Sequence, residues 1–301
     1  MIRTVTGDIE APQGPVLAHE HLCIDLTSTK GPDTILGPDE EPAIVSDLRR
    51  TAGEHGLRLL GELSVPGSGR DVIAVRRISQ AANVPVVCAT GFYWDPLPPI
   101  ALEGAVERLR DIMVEEITSG IDGTDIRCGV IKIGTDNPEP NAAFERVFKA
   151  AALAAMQTGA SIITHTTQVE EADWQMDMLE RAGMDLTRVL VSHLGRVDVA
   201  RLAEVARRGV FMGVDQIGFA KGPSYAQYAD LVAAACREGL ARHLILSSDM
   251  ARRTRLHHVG GTSYGTVFTE FLPLLRQRGV PQAEIDTMMQ ANPVRLFSLP
   301  K

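Results

Sequence analysis

Two histidines near the amino terminus, His19 and His21, lie two positions apart in the apolar segment from Pro15 to Leu22. Alternate side chains of a β-strand project from the same face, so a strand here would point both imidazoles to one side and Glu20 to the other. Two imidazoles on one face can offer nitrogen ligands to one metal ion. Half-buried strands with merely hydrogen-bonded histidines show the same spacing, so the metal interpretation depends on the rest of the chain.

Other polar residues end further apolar runs of the chain. Lys132 lies within the segment 129–134, and His165, His193 and Asp249 each follow a short apolar run. Imidazole and carboxylate are ligands that zinc, manganese, cobalt and iron accept. If these side chains meet at one place, there are more of them than one ion needs, and the sequence predicts two metal ions.

Lys132 is unusual because it lies between isoleucines, where an ammonium group must lose its charge or find a partner. A structural lysine paired with a carboxylate is one interpretation. The other is a lysine with a lowered pKa, since a neutral amine can capture carbon dioxide as a carbamate. The two oxygens of a carbamate can bridge two cations.

A scaffold must bring these distant residues together, and the apolar pattern indicates which one. Eight short apolar runs read as buried strands, near residues 16–24, 57–63, 84–90, 126–134, 160–166, 188–193, 209–214 and 243–248. Segments with helical periodicity lie between them, among them 102–119, 142–157, 169–181, 200–208 and 225–238. Alternating strands and helices predict an α/β fold with a parallel sheet.

The 301 residues suit one closed (β/α)8 TIM barrel, which typically takes about 250 residues. An open doubly wound sheet is disfavoured because the sequence has no glycine-rich nucleotide-binding motif. We expect residues 1–301 to form one barrel domain, with residues 1–14 as a short lead-in, for example a hairpin across the barrel bottom. Residues 30–42 are expected to form a surface loop. Since strand carboxyl ends carry the chemistry of such barrels, the metal-ligand candidates would share one mouth.

The charge and composition of the chain argue against several classes of partner and indicate a cellular compartment. The net charge of −8 and the isoelectric point near 5.5 argue against general binding to nucleic acid or to anionic membranes. No amino-terminal signal core or apolar stretch of roughly 20 residues is present. The four cysteines form no C-x-x-C motif, which fits reduced thiols in the cytoplasm. We expect a cytoplasmic protein with a small-molecule substrate.

The ordered set of motifs resembles the phosphotriesterase family of the amidohydrolase superfamily over nearly the whole chain. The motifs are Leu17-Ala18-His19-Glu20-His21-Leu22, Ala89-Thr90-Gly91-Phe92-Tyr93-Trp94, Gly129 to Thr135, Thr164-His165-Thr166, Ser192-His193-Leu194-Gly195, Ser248-Asp249 and Gly260-Gly261 through Asn292-Pro293. The resemblance implies an amidohydrolase-type barrel with a binuclear metal centre, often zinc, in a homodimer. Manganese, cobalt and iron suit the same ligands.

The same resemblance implies how the ligands are divided between the two ions. One metal would be held by His19, His21 and Asp249, and the other by His165 and His193. Carboxylated Lys132 and a hydroxide would bridge them, and the two ions would activate that hydroxide. Asp249 would also take the proton of the attacking hydroxide and pass it towards the leaving group.

Pocket residues narrow the substrate class. Phosphotriesterases proper relay protons through an acid after the strand-six histidine and a histidine in the strand-seven motif, and this chain has Arg196 and Gln216 there. Neither side chain relays protons well, which weakens the case for triester hydrolysis. Tyr93 resembles the tyrosine that lactonase members place beside the metals, where its phenol can donate a hydrogen bond to the substrate. A rim aromatic is the other interpretation of Tyr93.

A basic cluster follows strands seven and eight, and consists of Lys221, Arg252, Arg253 and Arg255. Loops at these positions often bind phosphate in such barrels, and a guanidinium grips phosphate or carboxylate at two points. A solvated basic loop is the alternative. Family members that hydrolyse phosphorylated sugar lactones use a lysine and an arginine matching Lys221 and Arg252. They also use a tyrosine near position 255, where this chain departs from the pattern and has Arg255. We therefore predict that Lys221, Arg252 and Arg255 bind substrate.

Together these features predict a binuclear metal-dependent hydrolase that opens an anionic, phosphorylated sugar lactone. The first alternative is an amidase for a small anionic N-acyl compound, and the second is an aryldialkylphosphatase acting on organophosphates. A non-catalytic metal-binding or ligand-binding barrel is disfavoured because every ligand position is occupied by a competent side chain.

Overall fold

The computed structural model of this protein describes residues 1–93, 96–135 and 141–300, so Trp94 of the predicted third-strand motif lies outside the described residues. Eight parallel strands form a nearly closed barrel with helices between them. The strands are β1 (Ile2–Thr4), β2 (Gly7–Ile9), β3 (Val16–Glu20), β4 (Ile24–Asp25), β5 (Ile35–Leu36), β6 (Leu59–Glu62), β7 (Val86–Thr90), β8 (Val130–Lys132), β9 (Ser161–Thr164), β10 (Val189–Val191), β11 (Phe211–Val214) and β12 (Leu244–Leu246).

The barrel strands are β3 and β6 to β12, and each pairs in parallel with the next along the chain. The ends of β12 and β3 meet through backbone hydrogen bonds from Asp249 to His19 (3.1 Å) and from His21 to Met250 (3.2 Å). This arrangement confirms the predicted (β/α)8 barrel. The observed strands are shorter than the apolar runs, because several runs continue into loops that are also buried.

Helices lie between and after the strands along the chain. They are α1 (Thr27–Lys30), α2 (Glu41–His55), α3 (Val72–Ala82), α4 (Pro99–Glu103), α5 (Val106–Thr118), α6 (Ala142–Thr158), α7 (Val169–Arg181), α8 (Val199–Ala206), α9 (Tyr225–Arg237), α10 (Leu272–Gln277), α11 (Gln282–Asp286) and α12 (Asn292–Phe297). Local sequence sets their ends, as at α9, where the side chains of Ser224 and Gln227 cap each other's backbone N–H. No helix of the described residues is both long enough and apolar enough to cross a membrane.

The first residues form the expected hairpin, in which β1 and β2 pair antiparallel. It lies under the barrel, where Val5 donates a backbone hydrogen bond to Val86 at the start of β7 (2.8 Å). Residues 30–42 differ from the predicted surface loop. They contain β5, which pairs with β4 and places Leu36 in the core.

Glu20 holds the two ends of the barrel sheet together. Its buried carboxylate accepts hydrogen bonds of 2.8 Å from the hydroxyl groups of Ser247 and Ser248 and from the backbone N–H groups of Ser248 and Met250. Burial raises the pKa of Glu20 and the four donors oppose this rise. Because all four partners are donors, both carboxylate oxygens of Glu20 must act as acceptors.

We therefore expect Glu20→Gln to destabilise the protein by about 2 to 4 kcal/mol, because the amide NH2 would face two donors. The measurement is urea denaturation of the metal-free protein, which separates folding from metal binding. Glu10→Gln, at an exposed position, is the control and should change stability by less than about 0.5 kcal/mol. Equal denaturation midpoints for Glu20→Gln and wild type would show that the four hydrogen bonds do not stabilise the closure.

Candidate metal centre and substrate cavity

The six predicted metal-ligand side chains come together at the carboxyl ends of the barrel strands. Five of them line one cavity of about 390 Å³, namely His19, His21, His165, His193 and Asp249. Lys132 lies beneath them, 1% exposed, with its Nζ atom 3.3 Å from Nε2 of His19. Lys132 also donates a hydrogen bond to the backbone oxygen of Thr164 (3.4 Å).

The distances between ligand atoms fit metal binding. Metal–ligand bonds are about 2 Å long, so two ligand atoms on one ion lie about 3 to 3.5 Å apart. Oδ1 of Asp249 lies 3.4 Å from Nε2 of His21 and 3.9 Å from Nε2 of His19. Nε2 of His193 lies 2.9 Å from Nδ1 of His165. Each contact joins residues predicted for the same ion, and the described residues contain two compact groups of possible ligands, His19 with His21 and Asp249, and His19 with His193 and Asp215.

Asp215 contacts two of the predicted metal ligands but was not itself singled out from the sequence. It follows β11, is fully buried, and its two oxygens lie 2.8 Å from Nδ1 of His19 and 2.8 Å from Nδ1 of His193. A carboxylate can only accept these hydrogen bonds, so both imidazoles carry their proton on Nδ1 and leave the Nε2 lone pair free for a metal. Asp215 thus orients one ligand of each predicted metal.

Burial and neighbouring charges set the protonation states of several side chains in the cluster. Burial, aided by the charge of Lys132, lowers the pKa of His19 to about 4. Burial also lowers the pKa of His165, and it lowers that of Lys132 to about 8. Burial alone would raise the pKa of Asp249, but hydrogen bonding and charge from the neighbouring histidines hold it well below its usual range. His19 and His165 are therefore neutral and Asp249 is ionised near neutral pH, whereas Lys132 is still mostly protonated there.

A second support holds His21. Its Nδ1 atom lies 2.8 Å from the hydroxyl of Ser64, and the backbone N–H of Ser64 donates to the buried carboxylate of Glu62 (2.9 Å). Glu62 also accepts a hydrogen bond from the backbone of Leu22. His21 is therefore positioned by Ser64, which follows the neighbouring strand β6 and is itself held by Glu62 at the end of that strand.

The backbone at the site adopts conformations that are uncommon for its residue types. His193 and Asp249 have φ values of 66° and 47°, in the left-handed region that non-glycine residues seldom occupy. Gly91 has a φ of 117°, and a Cβ there would lie 2.1 Å from the backbone oxygen of Lys132. The glycine lets the loop after β7 pass close to the buried lysine.

The predicted substrate residues fall into two groups. Tyr93, Lys221 and Arg252 line the cavity, and the Tyr93 ring centre lies 5.4 Å from that of His165 and 5.3 Å from Nζ of Lys132. The guanidinium of Arg252 lies 5.2 Å from the ring centre of Phe219.

Arg255 does not join the cavity lining, which corrects its prediction as a substrate-binding residue. Its guanidinium donates hydrogen bonds to the backbone oxygens of Ser248 (2.9 Å) and Ile217 (3.2 Å). The side chain lies behind the ends of β11 and β12, because its guanidinium donates to backbone carbonyl groups there. Arg255 therefore holds the loops that carry the cavity residues.

Arg196 and Gln216 also line the cavity and form a chain with Asp249. The amide of Gln216 donates to Oδ2 of Asp249 (3.2 Å) and accepts from the guanidinium of Arg196 (3.1 Å). An amide does not carry protons and a guanidinium does not release them at neutral pH. The chain is therefore a poor exit route for a proton on Asp249, as the sequence indicates.

Residues 1–297 match the phosphotriesterase family. A phosphotriesterase homology protein of Escherichia coli is 35% identical over 290 residues, which cover 95% of this chain and 98% of that protein. The crystal structure of an E. coli phosphotriesterase homology protein with phosphate in its active site has a TM-score of 0.91 and 33% identity, and covers 96% of this chain and 100% of that one.

Two further relatives carry names of specific activities. An N-acetyltaurine hydrolase of Tetraodon nigroviridis is 30% identical over 337 residues, covering 97% of this chain and 96% of that protein. A lactonase structure from Listeria monocytogenes has a TM-score of 0.90 at 24% identity, covers 100% of this chain and 99% of that one, and supports the fold.

The barrel, its cluster of histidines and carboxylates and these relatives together define a metal-dependent hydrolase that acts on a small molecule. The chain belongs to the phosphotriesterase family. Members of that family depend on a binuclear metal centre.

Proposed function

We propose that this hydrolase is a lactonase that opens a phosphorylated sugar lactone. The observation that carries the proposal is one cavity that contains the metal-ligand cluster together with cationic side chains, among them Lys221 and Arg252. A guanidinium and an ammonium can bind a phosphate group while the lactone carbonyl lies at the metal ligands.

The donor set suits two divalent ions, with zinc as the proposed metal and manganese, cobalt or iron as alternatives. His19, His21 and Asp249 would hold one ion, His165 and His193 the other, and carboxylated Lys132 would bridge them. When bound, the ions supply an activated water and polarise the carbonyl group.

The side chains of the site have roles in the ring opening. As water adds to the carbonyl carbon and the ring C–O bond breaks, the ionised Asp249 takes the proton that the water loses. Because the chain through Gln216 does not remove that proton, Asp249 returns it to the ring oxygen, which leaves as a hydroxyl group. Burial raises the pKa of Tyr93, so its phenol stays protonated and is able to donate a hydrogen bond to an oxygen that gains charge.

Arg252 is held in place for anion binding. Its Nη1 atom lies 3.5 Å from Oδ2 of Asp33, and the ring of Phe219 supports its guanidinium. The phosphate in the active site of the E. coli relative shows that such an anion enters that protein's site, which supports the same chemistry here.

The second candidate function is hydrolysis of a small anionic N-acyl compound. The similarity to an N-acetyltaurine hydrolase favours it, since the same cationic side chains could bind a sulfonate. Organophosphate triester hydrolysis is a third possibility that the chain from Asp249 to Arg196 disfavours.

Hydrolysis of a panel by the metal-loaded protein separates these functions. The panel contains a phosphorylated sugar lactone, a neutral lactone, N-acetyltaurine and an aryl dialkyl phosphate, and the readouts are acid release, free amine and free phenol. The proposal predicts the highest kcat/KM for the phosphorylated lactone. Faster release of amine than opening of any lactone would establish the amidase instead.

We also propose, from the sequence and the family resemblance, a single barrel domain over residues 1–301 in a cytoplasmic homodimer. Light scattering of the purified protein tests the homodimer, for which the expected molecular mass is twice the chain mass of 32.6 kDa.

A further inference from the structure

Arg196 is a cavity cation whose setting differs from that of Arg252. It follows His193 in a short helical turn at the end of β10, is exposed, and lines the cavity. Among the salt bridges of the described residues, Arg252 has a carboxylate partner in Asp33, whereas Arg196 has no carboxylate oxygen within 4.0 Å. The positive charge of Arg196 is therefore available to a ligand.

Gln216 fixes the direction of this guanidinium. Asp249 can only accept a hydrogen bond and Arg196 can only donate one, so the amide between them has one orientation that satisfies both. Its nitrogen faces Asp249 at 3.2 Å and its oxygen faces Arg196 at 3.1 Å. One N–H of the five on the guanidinium is used in this contact.

A buried phenol lies near the same guanidinium. Tyr228 is 1% exposed and lies beside the turn that carries Arg196. Burial raises the pKa of Tyr228 to about 12, and the charge of Arg196 opposes that rise. The rigid ring also packs closely on Gly195, so the turn that carries Arg196 rests on a fixed support.

We propose that Arg196, oriented by Gln216, binds a second acidic group of the substrate, beside the lactone ring. This inference rests on the proposed lactonase function and adds to it a distinct anion-binding residue. Arg196 lines the same cavity as Asp249 and is linked to it through one amide, so an acidic group held by Arg196 lies in the cavity where the lactone ring is opened. The preferred substrates then carry two acidic groups, one at Lys221 and Arg252 and one at Arg196.

Two lactones with the same ring test this proposal. γ-Butyrolactone is neutral, and its vicinal dicarboxylic acid carries two carboxylates. We expect Arg196→Met to lower the ratio of kcat/KM for the dicarboxylate to that for the neutral lactone by about tenfold to a hundredfold, as for loss of a charge-assisted hydrogen bond. Arg252→Met should lower the same ratio, and the two losses should multiply in the double variant if the residues bind separate groups.

Arg110→Met is the matched control, because Arg110 lies on the surface of α5 outside the cavity lining and pairs with Asp111. It should leave the ratio unchanged. An equal loss on both lactones in Arg196→Met would overturn the proposal, since Arg196 would then only position Gln216 and Asp249. An unchanged ratio would also overturn it.

A binding measurement separates failure of this inference from failure of the lactonase function. Calorimetry of the metal-loaded protein with the ring-opened hydroxytricarboxylate needs no turnover. If neither lactone is hydrolysed but Arg196→Met weakens this binding by about tenfold or more, the second anion site stands and the lactonase function fails. Equal binding by Arg196→Met and wild type would overturn the site itself.

Discussion

Lys132→Ala is expected to lose one of two bound metal ions and to lower kcat/KM by about a thousandfold or more. The lysine is the side chain proposed to bridge the ions. Metal ions lower the activation free energy by several kcal/mol, and each 1.36 kcal/mol changes the rate by a factor of ten. Its burial and its pKa of about 8 make the neutral amine, and hence the carbamate, accessible near neutral pH. Elemental analysis after dialysis gives the metal content, and lactone hydrolysis gives the rate.

Lys149→Ala is the control for this variant, because Lys149 is exposed on α6 and lies outside the cavity lining. It should keep two metal ions per chain and the wild-type rate. Two ions and an unchanged rate in Lys132→Ala would exclude the bridging role and favour the lysine as a structural residue.

Asp215→Asn is expected to weaken metal binding or activity by about tenfold to a hundredfold, the usual effect of removing a residue that orients metal ligands. An amide offers one acceptor oxygen, so His19 and His193 could not both donate from Nδ1. One imidazole would then lose its fixed tautomer and orientation. Competition with a coloured chelator measures the affinity, and kcat/KM at saturating metal measures the remaining activity.

Asp39→Asn, at an exposed position, provides the comparison and should bind metal as the wild type does. Wild-type affinity and activity in Asp215→Asn would mean that the two imidazoles are held by their surroundings. Ser192, whose hydroxyl lies 3.1 Å from Nδ1 of His19, would be the first residue to examine in that case.

The positions of the metal-ligand candidates were predictable because parallel strands of a barrel end at one mouth. A polar residue that closes an apolar run, such as His165 or Asp249, must therefore point there. Asp215 follows the apolar run 209–214 directly, so the same rule also predicts that it points into the mouth. Only Gln216 was considered in this motif, because that residue stands where phosphotriesterases have a proton-relay histidine.

Other features depend on contacts between residues far apart in the sequence. Glu20 binds Ser247 and Ser248 more than 200 positions later, and no local pattern identifies those partners. Arg255 shows that a local pattern can also indicate a role that long-range contacts change. Its type and spacing fit a substrate-binding loop, but its guanidinium satisfies buried carbonyl groups, and this choice depends on the loop conformation.

The most direct test of the proposed function compares a phosphorylated sugar lactone with its neutral counterpart in wild type, Arg252→Ala and Arg253→Ala. Arg253 is an exposed neighbour outside the cavity lining and serves as the control. We predict that wild type and Arg253→Ala prefer the phosphorylated lactone and that Arg252→Ala reduces this preference by about tenfold to a hundredfold. Equal kcat/KM for the two lactones in the wild type would contradict the proposed anionic substrate.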